Sequence, residues 1–65
     1  MANRMLRYFE YAHLPEDLAK VSKGFYLLAA HLDEVLPEGP EKTAGLRKLL
    51  EAKDCMVRAA LDLRG

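Results

Sequence analysis

The chain has 65 residues, enough for one small domain, and a core of that size rarely supplies more than about 3–5 kcal/mol, so self-association is expected to add stability. Its single cysteine, Cys55, excludes an intrachain disulfide and a cysteine-based zinc site. Ten basic and ten acidic residues give a formal net charge of zero, which argues against a DNA partner because phosphate contacts supply most of the affinity of DNA-binding proteins.

Residues 1–13 are predicted to form a leader ahead of the first helix. The leader holds three of the chain's five aromatic side chains and two arginines: Tyr8, Phe9, Tyr11, Arg4 and Arg7. Rings interleaved with arginines are the groups that stack on a nucleobase and bind its phosphate. The alternative is structural, with Tyr8 and Phe9 only covering the end of the helices that follow.

The leader also lacks the apolar core of a signal peptide. Apolar runs elsewhere in the chain are short and interrupted by charges, so no transmembrane helix is predicted. A free cysteine suits a reducing compartment. We therefore expect a cytoplasmic protein without a membrane partner.

Residues 14–65 are predicted to form a helical hairpin, with helices at about 15–36 and 40–63. Apolar residues of the first segment recur at the spacings of three and four that are typical of a helix: Leu18, Val21, Phe25, Leu28, Leu32 and Val35. Pro15 and Pro40 each suit a helix start, because proline has no N–H group to leave unpaired there. The PEGP turn between the helices is too short for anything but an antiparallel arrangement.

The second helix is apolar over about 200° of its circumference, roughly twice what one partner helix covers. On the first helix, Tyr26 and Leu27 point away from the main apolar stripe. The surplus apolar surface is either exposed or buried against another subunit, so the hairpin is predicted to assemble into a helical homo-oligomer. Lys53 falls near the middle of the wide face, where its ammonium group must find a carboxylate or extend to solvent.

The sequence motifs of common enzymes are absent, since there is no glycine-rich phosphate loop, no GxSxG and no HExxH. His13 and His31 are expected to be surface or structural residues, and Cys55 a small interface residue rather than a nucleophile. We therefore expect no catalytic residue, no metal site and no cofactor. The chain is predicted not to be an enzyme.

Two segments carry a family resemblance, FEYAHLP near the N-terminus and LPEGPEKTAGLRKLLEAKD at the turn. Phe9 and Tyr11 match an F-x-Y element before a proline. A turn of the type P-[DE]-[SG]-x-E-[KR]-[ST] and the helix after it are matched by Pro37, Glu38, Gly39, Glu41, Lys42, Thr43, Leu46, Lys48, Leu49, Glu51 and Ala52. Over nearly its whole length the chain resembles the small phage-encoded anti-CBASS cyclic-oligonucleotide sponges, whose hairpin domain also occurs in a Thoeris-blocking sponge that sequesters cyclic ADP-ribose isomers.

The resemblance implies a compact homohexamer of helical hairpins that binds cyclic dinucleotides and, in some members, cyclic trinucleotides. Sequestering these messengers antagonises CBASS-type antiphage signalling without breaking a bond, in the host cytoplasm if the protein is phage-encoded. Through the F-x-Y element, the resemblance assigns Tyr11 to stacking on a base across a subunit boundary.

The phosphate contacts are predicted from chemistry. Each cyclic dinucleotide has two phosphates, so a symmetric pocket needs at least one cation per subunit. The start of the second helix has free N–H groups that favour an anion, although Glu41 opposes one there and ordinary helix-start chemistry explains the same residues equally well. The candidate contacts are Lys23, Lys42, Thr43, Arg7 and Lys48, of which Lys23 and Lys42 rank first.

The alternative function is a non-enzymatic helical oligomerisation or protein-interaction module without a nucleotide ligand, whose wide apolar faces dock another protein. A small DNA-binding regulator is a third class, which the zero net charge disfavours. A sponge is expected to bind cyclic nucleotides and to lose that binding on Tyr11→Ala, whereas an interaction module is indifferent to them.

Overall fold

The computed structural model describes residues 3–63 of the chain. It contains a 3₁₀ helix at Arg4–Phe9 and two long helices, α1 at Glu16–Val35 and α2 at Pro40–Asp62, and the described residues form no strand. The two long helices pack against each other, which confirms the predicted all-α hairpin. Each end of a helix lies within one residue of the predicted position.

The chemistry of the helix ends explains why the hairpin turns where it does. Glu16 and Asp17 lie in the first turn of α1, where the positive end of the helix dipole favours acidic groups. The helix ends with the amide of Leu36 donating to the carbonyl of Leu32 at 3.1 Å. Pro40 occupies the first turn of α2, where its fixed φ suits the helix and its missing N–H has no cost.

The leader is folded onto the hairpin rather than extended away from it. The side chain of Asn3 caps the 3₁₀ helix by accepting a hydrogen bond from the amide of Met5 at 2.9 Å. Phe9 at the end of that helix has no exposed surface and packs with Ala29 of α1 and Leu46 of α2. The core of the molecule therefore lies between the leader and the two long helices.

The aromatic side chains of the leader differ in how deeply they are buried. Phe9 covers the hairpin, as the structural alternative has it, whereas Tyr8 is 49% exposed. Tyr26, which points away from the main stripe of α1, packs against the cluster around Phe9. Part of the surplus apolar surface is thus covered by the chain's own leader, while Leu27 stays 55% exposed.

A second apolar surface, here called the apolar face, runs along both long helices. On the α1 side it is formed by Val21, Phe25, Leu32 and Leu36, and on the α2 side by Leu49, Ala52, Met56, Ala59, Ala60 and Leu63. Several of these side chains are open to solvent, with Leu36 46%, Met56 52% and Leu63 91% exposed. The leader therefore accounts for only some of the apolar surface of the hairpin.

Candidate functional site

Tyr11 lines a cleft where the chain leaves the 3₁₀ helix and passes α1, here called the aromatic cleft. Its walls are Glu10, Tyr11, Ala12, His13 and Tyr26, and its volume is about 350 Å³. The rings of Tyr11 and Tyr26 meet edge to face, with centroids 5.6 Å apart and planes inclined at 63°. Both tyrosines are only partly exposed.

A second cleft of about 370 Å³, here called the basic cleft, adjoins the first. It lies between the leader, α1 and α2, and it is lined by Arg7, Tyr8, Glu10, His13, Leu14, Ser22, Lys53, Asp54, Val57 and Arg58. Glu10 and His13 belong to both clefts, so the two form one continuous surface. A single subunit therefore has aromatic side chains in one cleft and cationic side chains in the cleft next to it.

The cations of the basic cleft differ in how far they are neutralised. The ammonium group of Lys53 lies 2.9 Å from a carboxylate oxygen of Asp54. Asp54 therefore provides the partner that a charge on the wide apolar face of α2 was expected to need. Arg58 donates to the thiol sulfur of Cys55 at 3.3 Å. Arg7 donates to the hydroxyl of Tyr8 at 3.1 Å, and its guanidinium carbon is 5.1 Å from the centroid of that ring.

The contact between Arg7 and Tyr8 has an electrostatic consequence. The hydrogen bond from Arg7, followed by the positive charge of the same side chain, lowers the pKa of Tyr8 below its ordinary value. Neither Arg7 nor Arg58 forms an ion pair within residues 3–63. Both guanidinium groups are therefore available to an anionic ligand.

At the closed end of the hairpin, Lys42 forms the centre of a polar cluster with Asn3, Asp33, Glu38 and Thr43, here called the Lys42 cluster. The ammonium group donates to the carbonyls of Asp33 and Leu36 at 2.8 and 3.0 Å, and to Glu38 Oε1 at 2.6 Å. It also lies 2.7 Å from Asp33 Oδ1, and the side chain of Lys42 is only 5% exposed. The positive charge of Lys42 is thus satisfied inside the chain.

The Lys42 cluster also fastens the leader. The amide of Asn3 donates to both carboxylate oxygens of Asp33, at 3.2 and 3.1 Å, and its side chain donates to Glu38 Oε2 at 3.1 Å. The hydrogen bond from Lys42 lowers the pKa of Asp33, and the hydrogen bonds to Asp33 and Glu38 raise the pKa of Lys42. The charged forms of both groups are therefore favoured in the folded protein.

The predicted site residues do not meet in one place within the subunit. Tyr11 lines the aromatic cleft and Arg7 the basic cleft. Lys42 and Thr43 belong to the Lys42 cluster, where Thr43 Oγ1 accepts from Asn3 at 3.4 Å. Lys48 borders the apolar face, and Lys23 is exposed on α1 without lining either cleft. Ligand binding stays a prediction for all six residues: Tyr11, Arg7, Lys23, Lys42, Thr43 and Lys48.

The sequence does not identify Glu10, Tyr26, His13, Ser22 or Arg58 as residues of the two clefts. Tyr26 lies outside the main apolar stripe of α1. An aromatic side chain in that position is the sequence signal of its contact with the leader. His13 was assigned a surface role, and it does lie exposed, but at the junction of the clefts. Ser22 and Arg58 gave no signal, since a single serine or arginine in a helix is ordinary.

No protein-family model, no curated protein and no solved structure matches this chain. Within residues 3–63, no helix is long and apolar enough to cross a membrane. The same residues contain no group of three or more histidine, cysteine, aspartate or glutamate side chains that could hold a metal ion.

Proposed function

We propose that the protein binds and sequesters cyclic oligonucleotide messengers, cyclic dinucleotides above all and cyclic trinucleotides as a second class, and thereby antagonises CBASS-type antiphage signalling. The observation that carries the proposal is the pair of adjoining clefts, with Tyr11 in the aromatic one and Arg7 in the basic one. A nucleotide needs a ring to stack on its base and a cation at its phosphate, and the two clefts offer these groups next to each other.

The mechanism is mass action. A binder that holds the messenger lowers its free concentration, so the effector protein is not activated. The folded protein gains stability from the bound ligand by the same linkage. No bond is broken, and the proposal therefore requires neither a nucleophile nor a general base.

We further propose that the subunit self-associates through its apolar face, as a homohexamer. The molecule is 41 Å long and 19 by 15 Å in cross-section, so its long sides are of the order of size that a standard interface of roughly 800 Å² per partner requires. Exposed Leu36, Met56 and Leu63 on this face are better covered by a second copy than by water.

The same exposed surface favours a second candidate function, a helical protein-interaction module without a nucleotide ligand. In that case the apolar face docks a different protein and the clefts stay empty. The two functions differ in one measurable property, which is the binding of cyclic nucleotides by the purified protein.

The test is native mass spectrometry with a panel of cyclic di- and trinucleotides, followed by calorimetry on Tyr11→Ala and the matched control Tyr11→Phe. Stacking on an aromatic ring is worth about 1–3 kcal/mol, so Tyr11→Ala is expected to weaken binding by about 5-fold to 150-fold. Tyr11→Phe keeps the ring and is expected to bind as the original chain does. An oligomer that binds no member of the panel would refute the sponge function and favour the interaction module.

A further inference from the structure

Ser22 of α1 is the buried polar side chain that the fold itself does not explain. The residue has no exposed surface, and its hydroxyl oxygen lacks a hydrogen-bond partner among residues 3–63. A serine inside a helix can usually donate to the carbonyl one turn earlier, but this one does not. A buried hydroxyl without a partner costs stability, and alanine would fill nearly the same space without that cost.

The position of Ser22 suggests what its hydroxyl is for. Ser22 is one of the residues that line the basic cleft, together with the leader residues Arg7, Tyr8 and His13. An oxyanion in the cleft can accept the hydrogen bond that the protein leaves unmade. Since Ser22 has no exposed surface, an anion contacts its hydroxyl only if the side chains around it move.

Two arginines from different parts of the chain line the cleft, Arg7 from the leader and Arg58 from α2. Each donates to a neutral neighbour, the hydroxyl of Tyr8 and the thiol of Cys55, and a phosphate oxygen is a stronger acceptor than either. The cleft holds three cationic side chains against the two carboxylates of Glu10 and Asp54, so its walls carry a net positive charge.

We propose that the basic cleft is a phosphate-binding subsite, in which Arg7, Arg58 and the Ser22 hydroxyl donate hydrogen bonds to the anion. If the proposed function holds, on which the identity of the ligand rests, this anion is a phosphodiester of the cyclic nucleotide. The base then stacks in the adjoining aromatic cleft, with Glu10 between them to accept an N–H group from the base edge.

The experiment is calorimetric titration of the full chain with the cyclic nucleotide panel and, separately, with inorganic pyrophosphate. The variants are Arg58→Gln, Ser22→Ala and the control Arg47→Gln, which removes an exposed arginine of α2 outside the cleft. Arg58→Gln is expected to weaken binding by about 10-fold to 100-fold, the value of a charged hydrogen bond, and Arg47→Gln to leave it unchanged. Thermal unfolding of each variant shows that it is folded.

Ser22→Ala has a signature that a purely structural serine lacks. Without ligand the variant is expected to unfold at a higher temperature than the original chain, because an unpaired hydroxyl is removed. With ligand it is expected to bind several-fold more weakly. Binding that is unchanged in both Ser22→Ala and Arg58→Gln would overturn the subsite.

Failure of the subsite and failure of the proposed function give different results. Cyclic nucleotides that bind through Tyr11 but ignore Arg58 and Ser22 would overturn the subsite and leave the sponge function standing. Pyrophosphate that binds through Arg58, with no affinity for any cyclic nucleotide, would support the subsite and refute the sponge function. No binding of either probe would refute both.

Discussion

Phe9 is the leader residue on which docking of the leader depends most, and Phe9→Ala tests this directly. The side chain is fully buried between Ala29 and Leu46, with no exposed surface. Truncating a buried phenylalanine typically costs about 3–5 kcal/mol, from lost burial and from the cavity that remains. A core of this size supplies about 3–5 kcal/mol in all, so Phe9→Ala is expected to remove most of the stability of the subunit.

The assay is urea unfolding followed by far-ultraviolet circular dichroism, at several protein concentrations because self-association adds stability. Leu27→Ala is the control, since Leu27 is 55% exposed and surface substitutions usually change stability by within about 0.5 kcal/mol. Phe9→Leu keeps most of the volume and is expected to cost less than about 1.5 kcal/mol. A loss below about 1 kcal/mol for Phe9→Ala would refute the reasoning, because the leader would then not be part of the core.

Two further predictions concern the Lys42 cluster and the apolar face. Lys42 lowers the pKa of Asp33 in the folded protein, so the ionised Asp33 carboxylate stabilises the fold at pH values above the ordinary aspartate pKa of about 3.9. This stabilisation is lost as the pH falls below about 3.9 and through the lowered pKa of the folded protein. Thermal unfolding against pH should show Asp33→Asn less stable than the original chain at neutral pH and less sensitive to acid, and an unchanged acid dependence would contradict this role. On the apolar face, Met56→Glu is expected to shift the protein towards monomers in analytical ultracentrifugation, because a carboxylate would be buried in the interface, whereas Leu27→Ala should not. A monomeric original chain would contradict self-association.

The helical hairpin itself was predictable because its signals are local. Apolar spacings of three and four, two prolines at helix starts and a short turn each act within a few residues, and together they give the bounds of α1 and α2 to within one residue. The need of Lys53 for a carboxylate was also predictable, since it follows from the position of a charge on an apolar helix face. Its partner Asp54 is the next residue in the chain.

The two clefts were not predictable in the same way, because they depend on where the leader docks. Leader, α1 and α2 each contribute to the basic cleft, and residues far apart in sequence, such as Arg7, Ser22 and Arg58, become neighbours only after packing. The surroundings of Lys42 were likewise not predictable from the sequence. Its place at the start of a helix suggested an anion site, but the end of α1 and the turn surround its ammonium group with acceptors.

The sequence by itself determined the two helices, their antiparallel arrangement and the aromatic and basic character of the leader, since these follow from local periodicity and composition. Only the tertiary structure decided that Phe9 is core, that Tyr11 lies beside a cationic cleft and that Lys42 is an internal ion-pair partner. The physical reason is that burial depends on contacts between distant segments, which docking of the leader sets through packing around Phe9 and hydrogen bonds from Asn3 to Asp33. The pairing of Lys42 depends instead on how the end of α1 and the turn fold around its ammonium group.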